Sequence, residues 1–417
     1  MRSWPTPTVP DVPGTAPRAR VHDTASGHPI DPTAGEDRAT LYVCGITPYD
    51  ATHLGHAATY LAFDTLGRVW RDAGLDVEYA QNATDVDDPL LERAAATGVD
   101  WRDLAASQIE LFRRDMAALR IIPPDSYVAV TDEVERIAEA VAYLERNGHG
   151  YRVPTPDSAA GDDVYFDVQR ATDHWTLGDE SRLDRATMLA LSAERGGDPD
   201  RVGKRDPLDP LLWRAARADE PSWDTVLGAG RPGWHIECSV IAGDRLGAPI
   251  SVQGGGSDLV FPHHEMSAGH TAALAHAPLA NGYVHTGMIA YQGTKISKSL
   301  GNLVTVRGLL DGGADPRAIR LALLSHRYSD DWEWFDSELS SAVLRLAAWD
   351  AWAAVADAPV DEDDESDATL ARIRERVADD LDTPGAIAAV DTAIAAGEHC
   401  TPAVVDLVDA LLGVRTG

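Results

Sequence analysis

Between residues 39 and 82 the chain changes its hydrophobic period twice, and few folds accommodate that. Residues 39–47 form an apolar run of strand length, Ala-Thr-Leu-Tyr-Val-Cys-Gly-Ile-Thr. From Leu54 the apolar positions recur with a helical period that stops at Gly74. Residues 77–82 suit a second strand, and 89–96 and 101–119 suit helices. Strand, helix, strand at this spacing implies a parallel, doubly wound sheet of the α/β class. Sheet character resumes at 249–253, which runs into Gly254-Gly255-Gly256. The intervening stretch mixes a helix over 132–146 with Pro- and Gly-broken segments and reads as an insertion. After Gly301 the pattern is helical and alanine-rich, interrupted by an acidic run at 361–367 that reads as an exposed linker. The expected divisions are a lead-in at 1–38, the first half of the α/β domain at 39–124, a connective insertion at 125–210, the second half at 211–300 and a helical region at 301–417.

Composition narrows the function. No apolar run approaches the roughly 18 residues of a membrane helix, and the first residues, Met1-Arg-Ser-Trp-Pro, lack the apolar core of a secretory signal. A cytoplasmic protein with no membrane partner is expected. Cys44, Cys238 and Cys400 are the only cysteines. Three are a poor disulfide framework, so metal or thiol chemistry suits any that matter, and Cys400 reads as a small buried residue. The chain carries 36 basic and 67 acidic residues, a net −31. Residues 301–417 hold 9 Arg and no Lys against 23 acidic residues, 9 − 23 = −14. A protein gripping a long polyanion presents a basic face, so the balance argues against a large nucleic-acid footprint. Lysine occurs only at Lys204, Lys295 and Lys298.

Two of those lysines stand in Lys295-Ile296-Ser297-Lys298-Ser299. Two ammonium groups and two hydroxyls in a short loop can follow the moving charge of a triphosphate as pyrophosphate leaves. Near the other end, His53-Leu54-Gly55-His56 opens the helix after the first strand. Its histidines share a face at a helix N-terminus, where free N–H groups favour phosphate, and Gly55 lets a flat ligand approach the backbone. Together and in this order, the two motifs resemble the HIGH and KMSKS signatures of class I aminoacyl-tRNA synthetases. The resemblance implies a Rossmann-type catalytic domain that makes an aminoacyl adenylate from ATP, and Mg²⁺ is expected with ATP for charge neutralisation rather than from any motif. It also implies that His53, His56, Lys295 and Lys298 are catalytic, with Gly55, Ser297 and Ser299 beside the nucleotide.

Cys44, Cys238 and His263 are a natural zinc set that leaves one position open, and zinc there can take a substrate thiolate that a serine hydroxyl replaces poorly. Spacing alone does not join ligands some 220 residues apart, and buried cysteines remain the alternative. The strings Tyr42-Val-Cys-Gly-Ile-Thr-Pro-Tyr-Asp, Gly230-Arg-Pro-Gly-Trp-His-Ile-Glu-Cys-Ser, Gly254-Gly-Gly-Ser-Asp-Leu and Phe261-Pro-His-His-Glu look like cysteinyl-tRNA synthetase over roughly residues 40–335. That likeness implies zinc on Cys44, Cys238 and His263. It also implies a cysteinyl-adenylate pocket lined by Cys44, Gly45, Ile46, Thr47, Thr59, Asn82, Ala83, Thr84, Trp234, Gly256, Ser257, Asp258 and Ile289.

Two departures stand out. The synthetase pattern has a further glutamate ligand four residues after the zinc-binding histidine, where this chain has Ser267. The C-terminal region is short, acidic and without lysine where the synthetase reads tRNA. Both departures, with Asp85-Val-Asp-Asp-Pro89 and Glu194-Arg-Gly-Gly-Asp-Pro199, make the chain similar to the cysteine ligases of mycothiol biosynthesis. That resemblance implies cysteine, ATP and glucosaminyl-inositol as substrates, no nucleic-acid partner and a monomer. The rival readings are a cysteinyl-tRNA synthetase with a reduced C-terminus and a non-catalytic paralogue.

Overall fold

The computed structural model describes residues 1–49, 52–170, 172–291, 294–295, 304–356 and 366–417. Ser297, Lys298, Ser299 and the first five residues of the acidic run lie outside them. A short hairpin, β1 (Val21–Asp23) with β2 (His28–Ile30), precedes the main domain. Next come β3 (Arg38–Val43), α1 (Leu54–Asp72), β4 (Asp76–Ala83), α2 (Asp88–Thr97), α3 (Trp101–Ala118) and β5 (Ser126–Ala129). β3, β4 and β5 pair in parallel. The first strand is shorter than its apolar run because the backbone leaves the sheet after Cys44, whose N–H still donates to the Gly254 carbonyl at 3.1 Å. A Cβ at Gly45 would stand 1.6 Å from the Asn82 carbonyl oxygen, so only glycine passes there.

α1 starts at His53, whose Nδ1 accepts the N–H of His56 at 3.4 Å, and the chain turns away where Gly74 takes a φ of +83°. Every residue from Tyr60 to Trp70 is buried, since the sheet covers one face and the C-terminal helices the other.

After α4 (Val134–Arg146) a second, antiparallel sheet forms from β6 (Gly150–Val153), β7 (Asp163–Phe166), β8 (Leu211–Ala215), β9 (Trp223–Thr225) and β10 (Gly228–Pro232), in the order β6-β7-β8-β10-β9. α5 (Arg185–Glu194) lies between β7 and β8. α6 (Trp234–Leu246), β11 (Ile250–Gly256), α7 (Glu265–Ala275) and β12 (Ala280–Thr286) then complete the central sheet. Its order is β12-β11-β3-β4-β5, parallel throughout. The order reverses between β3 and β11, and in open parallel sheets the ligand crevice forms at such a switch point, at the carboxyl ends of the strands.

β13 (Ile289–Tyr291), β14 (Thr294–Lys295) and β15 (Trp332–Trp334) make a small third sheet around α8 (Val306–Asp311) and α9 (Pro316–Leu324). The chain ends in α10 (Asp336–Ala353), α11 (Ser366–Ala378), α12 (Thr383–Ala396) and α13 (Pro402–Leu407). One continuous core joins Val43 and Trp70 to Ile319, Leu346, Ile387 and Leu411, so the C-terminal helices pack on the α/β domain. Among the described residues no helix is long and apolar enough to cross a membrane.

Candidate active site

At the crevice the turns after β3 and β4 are locked together. Asn82 Oδ1 accepts the Gly45 N–H at 2.8 Å and the Tyr42 hydroxyl at 3.1 Å, while Asn82 Nδ2 donates to Thr84 Oγ1 at 3.0 Å. The Thr84 N–H donates to the Ile46 carbonyl at 3.0 Å, and the Thr47 carbonyl accepts the Tyr49 N–H at 2.9 Å. Ala83 is buried between them. Across the opening, Thr59 Oγ1 donates to the Gly55 carbonyl at 3.1 Å and lies 2.8 Å from Thr286 Oγ1. Gly256 ends β11, Ser257 and Asp258 follow it, and Ile289 is buried in β13.

Three buried ligand atoms converge in this floor. The sulfur of Cys44 lies 3.8 Å from that of Cys238, and His263 Nε2 lies 3.2 Å from Cys238 Sγ. All three atoms fall within 4.8 Å of one another. Cys44 comes from the end of β3, Cys238 from α6 and His263 from the turn Val260–His264. Trp234 stacks on the His263 ring with centroids 4.3 Å apart, and His263 Nδ1 faces His235 Nδ1 at 3.0 Å. Burial pushes the Cys44 thiol well above its ordinary range. On Cys238 burial acts the same way but is outweighed by the hydrogen bond from Cys44 and by His263, so it ionises well below that range. A thiolate, a thiol and an imidazole at this separation fit a soft divalent cation, whose binding would remove the second thiol proton.

Ser267 makes no fourth ligand. Its hydroxyl is engaged by the carbonyls of His263 at 2.7 Å and His235 at 3.1 Å. Among the described residues no carboxylate joins the cluster, so a cation bound there would have three protein ligands.

The His53 and His56 rings stack with centroids 3.8 Å apart at the start of α1. Residues following the lysine loop are sewn to the same turn. The Leu54 N–H donates to the Val304 carbonyl at 3.0 Å, and the Val306 N–H to the Thr52 carbonyl at 3.3 Å. Lys295 pairs with Ala290 in the third sheet. The end that follows the lysine loop is thus tied to the histidine motif, although the two motifs are some 240 residues apart.

Further residues contact the cluster without having been singled out in the sequence. His264 Nε2 lies 3.2 Å from Cys44 Sγ, and its Nδ1 lies 2.7 Å from His285 Nε2. His285 Nδ1 in turn meets Thr24 Oγ1 at 2.7 Å. Gln253 Nε2 donates to Cys44 Sγ at 3.2 Å. Burial drives His264 well below the ordinary imidazole range, helped by His285 and His263, and brings His285 down to about 3. Both are therefore neutral at physiological pH and act by orientation. The doubled histidine in Phe261-Pro-His-His-Glu, and a lone glutamine ending an apolar strand, were the available signals. Nothing local marks His285.

The tRNA synthetases class I (C) catalytic domain family model matches residues 31–344. A protein of Clavibacter michiganensis named L-cysteine:1D-myo-inositol 2-amino-2-deoxy-alpha-D-glucopyranoside ligase is 63% identical over 423 residues, covering 100% of this chain and 99% of its own. A protein of the same name from Kineococcus radiotolerans is 58% identical over 396 residues, covering 94% of this chain and 92% of its own. Among solved structures, Mycobacterium tuberculosis methionyl-tRNA synthetase in complex with methionyl-adenylate matches with a TM-score of 0.60 at 17% identity, over 86% of this chain and 81% of that one. At that identity the likeness concerns the fold alone.

Proposed function

This chain belongs to the L-cysteine:1D-myo-inositol 2-amino-2-deoxy-alpha-D-glucopyranoside ligase family, built on a class I (C) synthetase catalytic domain, and we propose that it performs that ligation. The observation that carries the reading is the convergence of Cys44, Cys238 and His263 just past β3, with the next helix opening on the histidine motif and bonded there to Val304 after the lysine loop. Zinc held by those three residues would supply a soft Lewis acid that prefers a thiolate to a hydroxyl, and so selects cysteine over serine.

The chain's own residues account for the rest. Asn82, Gly45 and Thr84 fix the pocket floor, so the substrate carboxylate is aimed at the start of α1. There the carboxylate attacks the α-phosphate of ATP, forming cysteinyl adenylate and releasing diphosphate. His53 and His56, with Lys295 and Lys298, stabilise the charge gathering on the phosphate oxygens. Mg²⁺ accompanies ATP and neutralises part of that charge. The amine of glucosaminyl-inositol then attacks the acyl carbon, AMP leaves, and the nitrogen gives up a proton to form the amide.

The acceptor decides between this reading and a tRNA synthetase. The enzyme is offered cysteine, ATP and either glucosaminyl-inositol or tRNA, over a range of salt. The expected result is AMP formed one-for-one with cysteinylated aminosugar, with shallow salt dependence and no charged tRNA even at low ionic strength, where polyanions bind best. Charging of tRNA without turnover of the aminosugar would overturn it.

A further inference from the structure

The string Glu194-Arg-Gly-Gly-Asp-Pro199 belongs to none of the chemistry above, yet the structure fixes it closely. Gly196 takes a φ of +83°. The Gly197 N–H donates to the Ser192 carbonyl at 2.8 Å, and a Cβ at Gly197 would stand 2.6 Å from that oxygen. Asp198 accepts from the Tyr165 hydroxyl of β7 and from Lys204 Nζ at 2.9 Å. That lysine is almost wholly buried, its side chain 3% exposed. The turn is therefore anchored in the second sheet, and two glycines are needed to make it.

From this anchored turn Arg195 reaches to the crevice. Its Nη1 donates to the Asp258 carbonyl at 2.5 Å and to the Phe261 carbonyl at 2.5 Å. These two carbonyls lie on the turns that carry Asp258 beside the nucleotide pocket and His263 in the metal cluster. The far end of the same segment is held too. Glu265 accepts from Trp175 Nε1 at 2.9 Å, the Gly178 N–H at 2.9 Å and the Ser181 N–H at 2.8 Å. The segment 258–265 is thus gripped on both sides by residues 172–195, with His263 between the grips.

We infer that Arg195 is a positioning residue: it holds the 258–263 turns so that His263 faces the two sulfurs. The inference rests on the reading of Cys44, Cys238 and His263 as a zinc site. The two N–H groups of one terminal nitrogen, fixed in the guanidinium plane, bridge the two carbonyls and so set the spacing of the turns.

The test uses the whole protein, parent and Arg195→Ala, loaded with zinc or with Co²⁺ as a spectroscopic stand-in. Arg195→Ala should fold as the parent does by circular dichroism and lose metal affinity by about tenfold to a hundredfold in chelator competition, the scale of losing an outer-shell partner. The visible cobalt bands should shift, KM for cysteine should rise more than KM for ATP, and methylguanidinium should restore part of the loss. Should Arg195→Ala prove too unstable, Asp198→Asn loosens the same turn with Arg195 in place and should give the same changes in smaller measure. A parent that binds metal, with variants indistinguishable from it in metal affinity, cobalt spectrum and KM, overturns the inference alone. A parent that binds no metal overturns the zinc reading beneath it.

Discussion

Two buried polar clusters in this molecule are wired in opposite ways. The first joins Asp64 and Arg68 of α1 to Arg320 of α9. Asp64 Oδ2 accepts from Arg68 Nε at 2.8 Å and Arg320 Nη2 at 2.5 Å, and its Oδ1 accepts the Ile122 N–H at 2.8 Å. Arg68 also donates to the carbonyls of Asp409, Ala410 and Arg120, and Arg320 to those of Leu412 and Leu119. Every charged atom has a partner within the chain, and the backbone partners come from two distant segments, 119–122 and 409–412. In the second cluster, the Cys44 thiol donates to the Cys238 sulfur and His263 Nε2 meets the same sulfur, while Gln253 donates to Cys44 from outside and His264 and His235 contact Cys44 and His263 there. Saturated groups staple the fold. Convergent metal-ligating atoms, joined to one another and to few other groups, are compatible with a cation.

The sharpest way to break this contrast is to remove one atom from each cluster. Cys238→Ala should lose bound zinc and slow cysteine-dependent ATP–pyrophosphate exchange by on the order of 10³ or more, since a direct ligand outranks the outer shell. Its thermal stability should fall far less than that of a staple variant. Metal content by mass spectrometry, together with the exchange assay, checks both, and retention of zinc and activity would dissolve the assignment. Asp64→Asn leaves two guanidinium groups against a neutral amide and should cost about 3–5 kcal/mol in urea unfolding, with turnover per folded molecule nearly unchanged. Burial alone would raise the Asp64 carboxyl, but Arg68 and Arg320 outweigh it and hold the carboxyl below its ordinary range. Its contribution is therefore complete at neutral pH and fades as pH falls below about 4. Full stability with lost activity would invert the comparison. A smaller effect belongs to His285→Phe, which keeps a ring but releases His264 Nδ1. Metal affinity should drop by about tenfold, and chelator competition reads it directly.

The first half of the central sheet was legible because β3 is an apolar run buried on both faces and α1 keeps its apolar period up to Gly74. The second sheet was not, since its strands span three to five residues between prolines and glycines and pair across long gaps. In the site, the three ligand candidates were readable only because their strings resemble a family. Nothing in their spacing brings residues 44, 238 and 263 to one point. Ser267 shows the limit from another side. The missing carboxylate is visible in the sequence, but not that the serine hydroxyl turns back to the His263 and His235 carbonyls. The same holds for His264, one ring nitrogen of which faces the Cys44 sulfur while the other meets His285.

Asp115 belongs to neither cluster type, and it offers the mildest test of the contrast. It lies in α3, buried, with no hydrogen-bond partner for either carboxylate oxygen among the described residues. Burial raises its pKa from the ordinary value to about 7, with Arg307 opposing and Asp311 adding to the shift. The folded state therefore holds this proton where the unfolded chain, titrating near pH 4, has released it. Stability is lost as the pH rises from about 4 to 7, and the full penalty remains above. Asp115→Asn keeps the shape and removes the charge. Its gain in Tm over the parent should be slight at pH 4.5 and reach about 2–4 °C at pH 8, followed by thermal denaturation in matched buffers. An equal gain at both pH values would show that charge is not the cause. A loss at pH 8 together with weakened ATP binding would give Asp115 a ligand-facing role, since α8, whose Arg307 and Asp311 bear on it, follows the lysine loop in the chain.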